Sequence, residues 1–234
     1  MWLCYGDPTI RKRVGRQKMK IINAVGTVIL GATLLSGQAF SAKIQSITPP
    51  SAQADVQTSV MAKEFGKSLP PVGYVQFCAR GEDECKFKGG KVERVAMSAD
   101  RVDQLNQVNS YVNTKIKPMS DMDLYGVPDY WTYPVNAGDC EDYVLLKKRY
   151  LQGLGISADE LLITVVFDEN GDGHAVLTVM TDQGDLVLDN RRNEILTWNQ
   201  TGYKFLKRQS QLDPKLWVSL QKSTPQVLVS SQGK

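Results

Sequence analysis

The sequence predicts an α+β domain in which a cysteine-bearing helix packs on an antiparallel β-sheet. Three observations carry that expectation. Leu105, Val108, Val112 and Ile116 recur at three- and four-residue spacing and stop at Pro118, which predicts a helix over 100–117. A second helix runs from Asp139 to Gly153. Acidic residues crowd its first turn, and Lys147, Lys148 and Arg149 follow in its later part, a polarity that suits the helix dipole. Behind it come three β-rich runs, 161–167, 174–180 and 185–189, separated by a polar turn at 168–173 and a shorter one at 182–184. A further strand is expected within 195–208. Residues 71–95 read as turn-rich, and 119–138 as an irregular aromatic loop ending at Gly138.

The flanks read differently. Arg11, Lys12, Arg13, Arg16, Lys18 and Lys20 form a basic block, followed by an apolar run from Ile21 to Leu35 and by the small residues Gly37, Ala39, Ser41 and Ala42. That order is a secretory signal peptide over 1–42, with an uncleaved anchor as the alternative. Met19 offers a second start, so 1–18 can be a mis-called N-terminal extension. Residues 43–70, rich in Ser, Ala, Gln and Pro, read as a linker or loosely held N-terminal arm. The domain proper is expected over 71–220, with a polar tail at 221–234. Of the 28 Lys and Arg, six lie in 1–42, as does one of the 25 Asp and Glu; the remainder carries 22 basic and 24 acidic residues, a net −2. No basic patch remains to argue for nucleic acid. Cys4 is expected to leave with the leader. Export favours pairing Cys78 with Cys85, seven residues on, which leaves Cys140 as an odd thiol; the alternative is that neither is paired.

The chemistry-bearing residues converge on that thiol. Cys140 stands at the start of the second helix, where unpaired N–H groups favour a thiolate; the alternative is a buried structural cysteine. The chain has one histidine, His174, at the head of a strand after a glycine-rich turn. It serves as a base or is a satisfied structural group. If the turn at 182–183 closes a hairpin, His174 lies opposite a residue near 191. Asp189 is then its diagonal neighbour on the same face, placed to accept the imidazole N–H, or else a strand-end Asp bonding its own turn. Asp139, Glu141 and Asp142 crowd the thiol with carboxylates, which oppose its ionisation. They either hold a cation, for which oxygen ligands in an exported protein point to Ca²⁺, or complement the helix dipole. Asp168-x-Asn170-x-Asp172-Gly173 matches the opening of an EF-hand loop, but its twelfth position is Val179 and strands flank it, so it reads as a hairpin turn.

Trp131-x-x-Pro134, Gly138-Asp139-Cys140-Glu141-Asp142-Tyr143, Gly173-His174-Ala175-Val176-Leu177-Thr178-Val179 and Leu188-Asp189-Asn190 together resemble the bacterial transglutaminase-like cysteine peptidases of the papain and transglutaminase superfamily. These include periplasmic, calcium-dependent proteases that clip biofilm adhesins. The resemblance runs from about Pro70 to Ser210. It implies a transglutaminase/papain-like core, a triad of Cys140, His174 and Asp189, and calcium held by Asp139 and Glu141. It also implies a periplasmic location, a protein substrate such as a large surface adhesin, and a membrane-bound regulator. One departure is Arg191-Arg192-Asn193, where the family leads one to expect a more apolar stretch; such loops border the cleft and bear on the substrate.

The expected function is thus an exported cysteine endopeptidase. The same triad could run amide transfer or deamidation. A non-catalytic periplasmic binding module is the alternative from a different class, and it has no need of all three residues.

Overall fold

A computed structural model describes residues 4, 59–86 and 92–222; the leader apart from residue 4, residues 43–58 and the tail beyond 222 lie outside the described residues. In chain order the elements are β1 (Lys67–Ser68), α1 (Val72–Ala79), α2 (Ala99–Lys115), β2 (Lys117–Pro118), α3 (Asp121–Tyr125), β3 (Ala137–Gly138) and α4 (Cys140–Gly153). They continue with β4 (Leu161–Phe167), β5 (Gly173–Thr181), β6 (Gly184–Leu188), β7 (Leu196–Thr197), β8 (Lys204–Gln209) and β9 (Trp217–Ser219). Seven strands form one antiparallel sheet in the order β1-β9-β8-β4-β5-β6-β7, and β2 pairs with β3 in a short parallel ribbon. The α+β architecture expected from the sequence is the one observed.

Both expected helices form. Ser98 caps α2, its hydroxyl accepting from Arg101 N at 3.2 Å. Leu105, Val108, Val112 and Ile116 all face the core. Helix α4 is buried almost all round, packed between α2 and β5. Its basic residues do not serve the dipole as expected. Lys147 is buried beneath the sheet, where loss of water pushes its ammonium down to about 7. Lys148 pairs with the buried Glu84 at 2.7 Å and Gln209 Oε1 at 3.2 Å. Glu84 lies within the loop closed by a Cys78–Cys85 disulfide, so the expected pairing of those two cysteines holds a partner of α4 in place.

Two segments depart from expectation. Residues 72–79, expected to be turn-rich, form α1. Tyr74 and Phe77 anchor it against Trp131, Tyr133 and Trp217, and Gly73 lets it approach Trp131 so closely that a Cβ would lie 2.4 Å from the indole. Tertiary packing of aromatics outweighs the Pro-Pro-Val-Gly turn signal at its start. The described end of the expected loose arm, 59–68, is tied down. Asp185 donates its N–H to Val60 O at 2.8 Å, its carboxylate accepts from Ala62 N at 3.0 Å, and Arg208 bridges Asp185 and Glu64 at 2.7 and 2.9 Å. No helix among the described residues is long and apolar enough to cross a membrane.

Candidate active site

The β5–β6 register sets the site. Leu177 pairs with Leu188, and Thr181 with Gly184 across the tight turn. Carried on, that register puts Val176 opposite Asp189 and His174 opposite Arg191, as the hairpin argument requires. Gly184 takes φ +132, where a Cβ would also strike Val60 O, so the turn requires glycine. Asp189 and His174 therefore share a face, and His174 Nε2 lies 2.9 Å from Asp189 Oδ1. A carboxylate oxygen only accepts, so Nε2 carries the proton. Nδ1, buried and without a hydrogen-bond partner among the described residues, is the nitrogen left to act as a base.

Helix α4 brings Cys140 to the same strand. Ala175 N, next to the histidine, donates to Cys140 Sγ at 3.1 Å. The structure thus brings Cys140, His174 and Asp189 together, all three buried. It also corrects the expectation of a lone thiol: Cys140 is disulfide-bonded to Cys4, with Cα atoms 5.6 Å apart, a spacing at which two cysteines bridge readily. The expectation assumed that Cys4 is gone with the leader. While that bond stands, the sulfur cannot attack.

Asp189 is over-supplied with donors. Arg191 N donates to Oδ1 at 3.0 Å, the Tyr203 hydroxyl donates to Oδ2 at 2.6 Å, and Arg192 Nε lies 3.6 Å away. Burial alone would raise this carboxyl. The hydrogen bond and charge of His174, then the Tyr203 and Arg191 donors, outweigh it and hold Asp189 well below the usual carboxylate range. The EF-hand-like turn is a hairpin turn, with Asp168 accepting from Asn170 N and Asp172 N at 2.9 and 2.8 Å and pairing with Arg191.

The acidic residues gather beside the thiol. Glu141 Oε2 lies 3.3 Å from Cys140 Sγ. Oxygens of Asp121, Asp139 and Asp142 lie within 4.8 Å of one another, as do those of Asp121, Asp129 and Glu141. The sequence singled out Asp139 and Glu141; Asp121 and Asp129 join them from the aromatic loop, and Asp142 from the first turn of α4. Asp121 and Asp142 each fix one oxygen on a backbone N–H, from Tyr130 and Thr132, and leave the other buried with no partner among the described residues; Asp139 Oδ1 is also unpartnered. Asp139 makes no side-chain cap hydrogen bond to α4. Loss of water pushes Asp139 up to about 7 and Asp142 to about 9, and raises Glu141 well above the carboxylate range, with the neighbouring carboxylates adding to each. Gly138 gives Asp142 room, since a Cβ there would meet Asp142 Oδ2 at 2.5 Å. Inward oxygens without counter-charge are the donor set a hard divalent cation takes.

A cysteine at a helix start, an imidazole on the neighbouring strand and a carboxylate on the next strand define a transglutaminase-like cysteine peptidase. The family model described as bacterial transglutaminase-like cysteine proteinase matches residues 64–225, and the chain belongs to that family. Similar solved structures include calcium-bound Legionella pneumophila LapG, 27% identical over 54% of this chain and 74% of that one, with a TM-score of 0.44. EGTA-treated LapG is 28% identical over 53% and 70%, also at 0.44. A third LapG structure is 24% identical over 65% and 88%, at 0.43. Comparison with curated proteins finds no match.

Proposed function

We propose that this cysteine peptidase is an exported, calcium-dependent endopeptidase that cuts a protein of the periplasm or cell surface, such as a large adhesin. The observation that carries the reading is the buried Cys140–His174–Asp189 arrangement, with Nε2 committed to Asp189 and Nδ1 left for the thiol proton. Cys140 attacks the scissile carbonyl carbon as its proton passes to His174 Nδ1. Backbone N–H groups at the start of α4 receive the developing oxyanion. His174 returns the proton to the leaving amine, then takes one from the water that hydrolyses the acyl-enzyme. Asp189 stays ionised and holds the ring. Attack requires Cys140 to be released from Cys4. Export along the 1–42 leader provides for this: its basic end stays on the cytoplasmic side while the domain crosses, and cleavage removes Cys4.

Asp121, Asp139, Glu141 and Asp142, with Asp129 beside them, are the groups that would hold calcium. When bound, it would neutralise carboxylates that otherwise oppose the thiolate. The sign of its pH dependence follows from the raised carboxyls. The folded, metal-free protein holds protons there that the unfolded chain has released. Its stability therefore falls as pH climbs from about 4 through the raised values near 7 and 9. Calcium replaces those protons, so the melting shift it produces should grow from pH 5 to pH 9 and vanish in Asp139→Asn/Glu141→Gln. The same calcium should support shortening of a surface protein on the producing cells, and chelation should stop it. Equal melting and equal cleavage with and without chelator would contradict the calcium reading.

A further inference from the structure

Arg191 and Arg192, the pair that departs from the family's pattern, both make ion pairs with the β4–β5 turn. Arg191 ties to Asp168 in the β4–β5 turn. Arg192 Nη2 donates to Tyr203 Oη at 3.0 Å and pairs with Glu169 Oε1 at 2.9 Å, its guanidinium standing 5.0 Å from the Tyr203 ring centre. Tyr203 in turn is 2.6 Å from Asp189 Oδ2 and meets the His174 ring edge-on, with centroids 5.7 Å apart and planes at 85°.

The direction of this chain is fixed by what each group can do. Guanidinium only donates, so Arg192 occupies a lone pair on the Tyr203 oxygen. A carboxylate only accepts, so the single hydroxyl proton points at Asp189 Oδ2. Asp189 Oδ1 takes His174 Nε2–H and Arg191 N–H. Both carboxylate oxygens are thereby engaged, and the group cannot rotate about its Cβ–Cγ bond without breaking a charge-assisted hydrogen bond. Behind it, Asn113 Nδ2 holds Asp189 O at 2.9 Å. Without Tyr203, Oδ2 would keep only the 3.6 Å approach of Arg192 Nε.

We propose that Tyr203, aimed by Arg192, is a positioning residue for the base: it locks Asp189 onto His174 Nε2 so that Nδ1 always faces the thiol. The proposal rests on the Cys140–His174–Asp189 reading above. The Tyr203 hydroxyl reaches neither the thiol nor a ring nitrogen of His174, and its positioning effect runs through Asp189.

The test uses the full chain carrying Cys4→Ser, so that Cys4 cannot cap Cys140, with Tyr203→Phe and Asp189→Asn each added to it. Phenylalanine keeps the ring against His174 and removes only the hydroxyl. The rate of alkylation of Cys140 by iodoacetamide, mapped by mass spectrometry across pH, reports how readily the thiolate–imidazolium pair forms. Nitrogen-15 NMR of the chain's one imidazole reports its tautomer. With Tyr203 the alkylation rate should hold well into acid and the neutral ring should be protonated at Nε2 alone. Tyr203→Phe should move the acid limb to higher pH, cut the rate at pH 6 by about tenfold, and give a mixed tautomer signal. Arg192→Ala should shift the limb in the same direction, by less. An unmoved limb with a single tautomer in Tyr203→Phe, while Asp189→Asn moves the limb, would overturn the proposal and leave the triad standing. A lower melting temperature with an unmoved limb would make Tyr203 a packing residue and also overturn it. If Asp189→Asn moves neither readout, the triad reading fails and the positioning role falls with it.

Discussion

Replacing Cys140 with alanine is expected to slow peptide hydrolysis on the order of 10⁶-fold, the size of loss seen when a hydrolase loses its nucleophile. The reason lies in what surrounds the sulfur. The chain's one imidazole is buried on the adjacent strand with Nδ1 uncommitted, and Ala175 N already donates to Sγ. Cys78 and Cys85 are bonded to each other and offer no thiol. Alanine at this buried position removes one atom from the start of α4, so folding should lose only on the order of 1 kcal/mol. Oxyanion donors and substrate contacts would remain, which leaves the residual rate above uncatalysed hydrolysis. Near-normal cleavage by Cys140→Ala would remove the covalent mechanism.

Asp189→Asn should cost about 10²- to 10⁴-fold in turnover with a much smaller change in melting temperature. The structure adds detail to that range. Nδ2 of the new amide can replace either oxygen. At the Oδ1 position it would oppose both His174 Nε2–H and Arg191 N–H, two donors. At the Oδ2 position it meets Tyr203, whose hydroxyl can turn and accept. The second arrangement keeps the tautomer and loses the negative charge, leaving the imidazolium without its counter-charge. The rate should therefore fall mainly through the charged state of His174, and most steeply where that state is needed. Unchanged turnover and melting together would make Asp189 a turn residue.

The proposed triad was legible because local rules bring its three residues together. The tight turn at 182–183 sets the β5–β6 register, and a period of two then assigns Asp189 to the face of His174. Cys140 was legible from helix polarity and the preceding glycine. Glu141 and Asp139 stand beside it in the chain. The rest of the site comes from closure over long separations. Asp121 and Asp129 reach the acidic cluster from a loop whose composition speaks only of irregularity. Tyr203 arrives from the segment before β8, a strand that pairs with β4 and has no local bond to β6. Its hydroxyl looks like any strand tyrosine until Asp189 and Arg192 are placed around it. Glu84 reads as a surface residue of a short disulfide loop, yet is buried against Lys148. Lys147 and Lys148 of α4 looked like dipole partners because periodicity cannot tell a helix buried on one face from one enclosed by a sheet, α2 and the disulfide loop. Cys4 could not be paired from sequence, since it was expected to leave with the leader.

The most direct test of the central claim is to alkylate the exported chain with limiting iodoacetamide and follow surface-protein cleavage against the fraction of Cys140 modified. Activity should fall in proportion to Cys140 labelling and reach zero at one equivalent, with Cys78 and Cys85 untouched. Cleavage that persists when Cys140 is fully alkylated would contradict the account.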